Sequence, residues 1–160
     1  MKIINKITAV ILLLAIAAVT SASCGSGNDD YEGAVFDIDK VAVKLLLDLQ
    51  FGDELVALDR EAADLKYNFG GTKSVIYAGS GATPEIVIAV QCPSRTSAEE
   101  VFKKIDAYIT EQKKLFDDYN VNERPKLDKA FYDIFGNYVF CVVSASGGEA
   151  AEKIVKDSVS

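Results

Sequence analysis

A chain of 160 residues, 49% hydrophobic, has room for a real core within one domain. Its 24 acidic side chains outnumber 17 basic ones, a net charge of −7, which argues against a nucleic-acid partner and against a surface that hugs anionic lipid. Histidine is absent, which excludes Ser-His-Asp and Cys-His nucleophile systems, histidine-ligated zinc and imidazole bases, while carboxylate, Lys or Tyr chemistry stays open.

The first residues have the three parts of a secretory signal. Lys2 and Lys6 give a positive start, Ile7 to Val19 an apolar run interrupted only by Thr8, and Thr20 to Ser23 a small-residue stretch before Cys24. A helix of about 13 residues at ~1.5 Å each covers ~20 Å, short of the ~30 Å hydrocarbon core, so a spanning helix is the weaker reading. Ala22 and Ser23 followed by Cys24 resemble a bacterial lipobox, although Ser21 stands where Leu or Val is usual. In such signals the cysteine thiol receives a diacylglycerol and the chain is cut just before it. The bland alternative is an ordinary cleaved signal with Cys24 incidental. The expectation is a signal peptide over 1–23, lipid on Cys24, a Gly/Ser/Asn/Asp-rich tether over 24–33 and an α+β domain over 34–160. Two acyl chains hold a protein stably, at ~0.8 kcal/mol per buried methylene. The mature chain is then anchored at the extracytoplasmic face without spanning the membrane.

Residues 37–50 read as a helix, with Ile38, Val41, Ala42, Leu45, Leu46 and Leu49 at helical spacing and Asp37 as its cap. Val43 and Leu47 lie off this stripe, which predicts burial on more than one side. Gly52-Asp53 ends the helix, Glu54 to Leu58 is a short mixed segment, and Arg60 to Leu65 is one more helical turn or two. After the Gly70-Gly71 turn come strands over 73–78 and 85–92. The second is apolar on both faces, as strands inside a sheet are.

Thr96-Ser97-Ala98-Glu99 reads as a capping box opening a helix over 97–117. Asp117 to Pro125 reads as a polar loop, and residues 129–135 and 138–144 as a hairpin about Gly136-Asn137. A two-residue turn sets Phe135 opposite Tyr138, Asp133 opposite Phe140 and Phe131 opposite Val142. A short helix with Ala151, Ile154 and Val155 closes the chain. The expected fold is α+β: a mostly antiparallel four-stranded sheet of two hairpins, packed with three or four helices. Cys92 and Cys141 sit in strand patterns; an oxidising compartment permits a disulfide, and buried thiols are the favoured reading.

Several pieces together resemble a known family. They are Tyr77-Ala78-Gly79-Ser80-Gly81-Ala82-Thr83 with Glu85, the helix end Gln112-Lys113-Lys114-Leu115-Phe116 with Tyr119, and Gly136-Asn137-Tyr138-Val139. Over about residues 38–157 the chain resembles the small uncharacterised lipoproteins of Clostridia-type Gram-positive bacteria, grouped as a domain of unknown function. The resemblance implies localisation and a domain of this size. It implies no activity, cofactor or catalytic residue.

Gly79 to Thr83 lacks the Gly-Lys-Ser/Thr ending and the following helix of a phosphate-cradling loop, and reads as a hairpin connection. Asp118 to Asn122 begins like a calcium loop, but Glu123 stands where glycine belongs and Lys129 where the bidentate Glu should be. No metal or cofactor is therefore expected. The feature that stands out is the hairpin face of Phe131, Asp133, Phe135, Tyr138 and Phe140. Left uncovered it is a binding patch; covered by helices it is core. Three functions fit: a non-catalytic binding module for an envelope protein, peptide or small ligand; a carboxylate-based hydrolase drawing on Glu54, Asp59, Glu61, Glu85 or Asp133; or an assembly subunit of a membrane complex.

Overall fold

The computed structural model describes residues 31–69 and 73–160. The signal peptide over 1–23, Cys24, most of the tether and the Gly70-Gly71 turn lie outside the described residues. Among the described residues no helix is long and apolar enough to cross a membrane.

The elements run α1 (Ile38–Asp48), β1 (Val56–Ala57), α2 (Arg60–Tyr67), β2 (Lys73–Ala78), β3 (Ile86–Gln91), α3 (Arg95–Tyr119), α4 (Arg124–Asp128), β4 (Phe131–Phe135), β5 (Tyr138–Val143) and α5 (Gly148–Lys156). They form an α+β fold on one antiparallel sheet of order β1-β2-β3-β5-β4. Among the described residues the sheet has five strands where four were expected, and five helices pack with it. The extra strand is β1. Its two exposed residues pair with Ala78 and Tyr77, and a segment that short has no alternation of its own to read. The extra helix is α4, which falls partly inside the expected polar loop and starts with Pro125 in its first turn.

Strand β3 lies in the middle of the sheet, as its apolar run requires, between β2 and β5. Alternation along it separates two cores. Ile86, Ile88 and Val90 pack with α2, α3 and α4 through Ala63, Ile105 and Leu127. Val87 and Ala89 pack with α1 and α5 through Leu45 and Val155. The sheet is thus a middle layer with helices on both faces. Helix α3 starts earlier than the Thr96 box suggests: the Ser94 hydroxyl accepts the Ser97 amide at 3.1 Å and caps it. Cys92 and Cys141 are free and buried, and burial pushes their thiols up to about 11 and about 12.

The two ends of the sheet differ. At the β4–β5 hairpin end, Tyr31 brings the chain in: a Cβ on Gly136 would stand 2.7 Å from the Tyr31 carbonyl oxygen. Gly136 has φ +56°, so this turn needs glycine for its backbone and for that close approach. The other end carries the start of β3 and the C-terminus of α1. A strand of six residues separates the two ends by about 20 Å.

Helix α1 buries Ile38, Val41, Ala42 and Leu45 against the sheet, and Asp37 caps it by accepting the Lys40 amide. The expectation of burial on a second side fails. Val43 is 43% exposed and Leu47 78% exposed, because no element among the described residues packs on that side of α1.

Candidate functional site

The aromatic hairpin face is core. The register is as the two-residue turn requires: Phe135 opposite Tyr138, Asp133 opposite Phe140, Phe131 opposite Val142. Helices α1 and α5 and the segment before α1 cover this face, leaving Phe135 and Phe140 at 0%, Tyr138 at 6% and Phe131 at 8% exposure. Phe36 closes it, with ring centroids 5.1 Å from Tyr138 and 5.2 Å from Phe140 in edge-on contacts. Asp133 is only half-buried. Its Oδ1 accepts the amide of Ile134 at 2.8 Å, and burial pushes its carboxyl above the ordinary 3.8. The five residues are therefore brought together, but the four aromatics are interior to the α1–α5 layer, with Asp133 half-buried beside them, and do not form an open patch.

Polar groups converge instead at the opposite end of the sheet. Glu85 sits one residue before β3, and its side chain is wholly buried. Its Oε2 accepts the amides of Gly52 at 2.7 Å and Asp53 at 2.9 Å. Its Oε1 lies 3.0 Å from Lys126 Nζ on α4, an ionic contact rather than a well-directed hydrogen bond. Lys126 also meets Glu123 at 2.6 Å. Burial pulls the Lys126 ammonium down, but the contacts with Glu123 and Glu85 outweigh it and the net shift is upward. One buried carboxylate thus ties the loop after α1, the start of β3 and α4 together.

Asp53 continues the network. Its Oδ2 accepts the Ser80 hydroxyl at 2.7 Å and the Ser80 amide at 2.8 Å, and its Oδ1 accepts the Glu54 amide at 2.9 Å. The Ser80 hydroxyl and amide hold the Asp53 carboxyl below the ordinary 3.8. Gly79 makes room for this: a Cβ there would stand 2.6 Å from Asp53 Oδ2. The glycine-rich connection of β2 and β3 is therefore a hairpin loop that clasps a carboxylate, and no phosphate cradle.

Beside Asp53 lies a groove of about 620 Å³ lined by Leu46, Leu49, Gln50, Phe51, Asp53 and Leu55. Leu46 follows Val43 at helical spacing and lies next to Leu47 on α1, so the exposed apolar side of the helix borders the groove. A second hollow of about 430 Å³ lies at the same end of the sheet, lined by Lys129, Ala130 and residues 146–149.

Of the other acids named from sequence, Glu54, Asp59 and Glu61 are exposed, and Asp59 caps α2 by accepting the Ala62 amide at 2.8 Å. Among the described residues no three His, Cys, Asp or Glu side chains cluster as a metal site. Asp53 was read from sequence only as part of a helix break. Its one local signal is an ionisable residue next to the glycine that stops an amphipathic helix, which is common in solvated turns.

Residues 58–144 match the family described as a domain of unknown function, DUF4358. That span covers β2, β3 and the Ser80 and Glu85 side of the network, together with α3, α4 and the hairpin. No curated protein and no solved structure matches the chain.

Proposed function

The chain belongs to the DUF4358 family, and from that premise we propose that it is a non-catalytic binding module, exported and held at the extracytoplasmic face of the membrane by a lipid on Cys24. The observation that carries the binding reading is the exposed stripe of Val43 and Leu47 opening into the groove at Leu46 and Phe51. Contiguous large apolar side chains on a water-facing helix mark contact surfaces more often than isolated ones do. The Glu85 and Asp53 network supports the same reading, because it fixes the groove-forming loop in one conformation and reduces what binding must spend on ordering it.

The order of charge, apolar run, small residues and cysteine supports the anchor. Tyr31 lies at the hairpin end, the end of the sheet away from the groove. Metabolic labelling with a radiolabelled fatty acid in the native host tests the anchor. The wild-type protein should take up label and fractionate with membranes, and Cys24→Ser should take up none. A wild-type protein without label overturns it.

A further inference from the structure

We propose that the α1 stripe and its groove take an apolar polypeptide segment of a partner protein bearing a lysine or arginine, with that cation pairing with Asp53. This deepens the binding reading above and rests on it.

The apolar part of the argument is the lining itself: Leu46, Leu49, Phe51 and Leu55, continued outward by Leu47. The charge part is the asymmetry around it. From residue 45 to residue 59 the chain has Asp48, Asp53, Glu54 and Asp59 and no lysine or arginine; Lys44 and Arg60 flank the stretch, and Lys126, which packs against Gly52, is already paired with Glu85 and Glu123. Asp53 is the acid that lines the groove, and it is held in place by Ser80. Among the described residues its Oδ1 accepts only the neighbouring Glu54 amide, and a carboxylate oxygen can accept a second donor. Like any aspartate it is ionised at neutral pH, and the Ser80 contacts lower its carboxyl further below the ordinary 3.8. A cation arriving along an apolar segment completes its coordination with a charge-assisted hydrogen bond.

Other occupants fit less well. Anionic lipid head groups meet the same acids with like charge. A second copy of the chain brings Asp48, Asp53 and Glu54 against themselves.

The test uses the full chain, carrying Cys24→Ser so that its own lipid cannot occupy the groove. Two N-acetylated fluorescent peptides serve as probes, one alternating leucine and lysine, its twin alternating leucine and glutamate. Anisotropy should show the lysine peptide binding about tenfold tighter or more than its twin, the size of one charge-assisted contact. Asp53→Asn should erase most of that preference, and Leu47→Ser should weaken both peptides. Leu65→Ser, an 87% exposed position on α2, should change nothing. Binding that depends on Leu47 but ignores peptide charge overturns the cation pairing and spares the binding reading. Binding of neither peptide, or binding indifferent to Leu47 and Asp53, overturns the assigned occupant. Leu47-dependent adsorption to phosphatidylglycerol vesicles, or a Leu47-dependent dimer in sedimentation, overturns it in favour of a bilayer or a second copy.

Discussion

Glu85 is the residue on which the loop after α1 depends, since one buried carboxylate serves the Gly52 and Asp53 amides and faces Lys126. Glu85→Ala leaves two amides without their acceptor and Lys126 with Glu123 alone. Urea unfolding should show a loss of roughly 2–4 kcal/mol, with Glu85→Gln, which keeps an acceptor, losing about half as much. Equal losses for the two variants would mean that the charge facing Lys126, and not the acceptor for the two amides, is what stabilises the loop. Asp133 behaves in the opposite sense. Its carboxyl is raised by burial, so the folded chain holds that proton more tightly than the unfolded chain does. The stability it lends is complete below the ordinary 3.8 and is lost as pH rises through the raised value. Asp133→Asn keeps an acceptor for Ile134 and removes the charge. Its melting temperature should exceed wild type at about pH 7, with the gap closing by about pH 3. A gap independent of pH contradicts the burial argument.

At the scale of elements, the hairpin was readable because its turn residues and its alternation agree: Gly136-Asn137 fixes the register that places Phe135 opposite Tyr138. The predicted outcome of Gly136→Ala follows from the same turn. A side chain there meets the Tyr31 carbonyl and strains a positive φ, so stability should fall by about 1–2 kcal/mol. The Ala34 amide, which donates to that carbonyl at 3.1 Å, should exchange with solvent faster. Unchanged exchange at Ala34 would show that the turn does not hold the entering chain. Strand β1 and helix α4 were not readable. The first borrows its order from β2, and the second is five residues long, below the length at which helical spacing is informative. For α1 the apolar residues were seen correctly and their environment was not. Val43 and Leu47 carry the composition of a buried face on a side that no element among the described residues covers.

At the scale of the molecule, alternation assigns residues to two faces of a sheet but does not say how many helices cover each. The hairpin aromatics therefore stood between core and surface until α1, α5 and Phe36 were placed over them. The polar network was hidden for another reason: Asp53, Ser80, Glu85 and Lys126 come from three separate segments, the loop after α1, the β2–β3 connection and α4, with no shared period, and only the sheet's topology brings them to one end. What emerges is a domain whose entry point and groove lie at opposite ends of its strands. The direct test is site-specific photocrosslinking in the native host's membranes, with a photoreactive residue at position 47 or at position 65. The account predicts a discrete adduct from position 47 that fades with Asp53→Asn, and none from position 65. No adduct from position 47, or the same adducts from both, would contradict it.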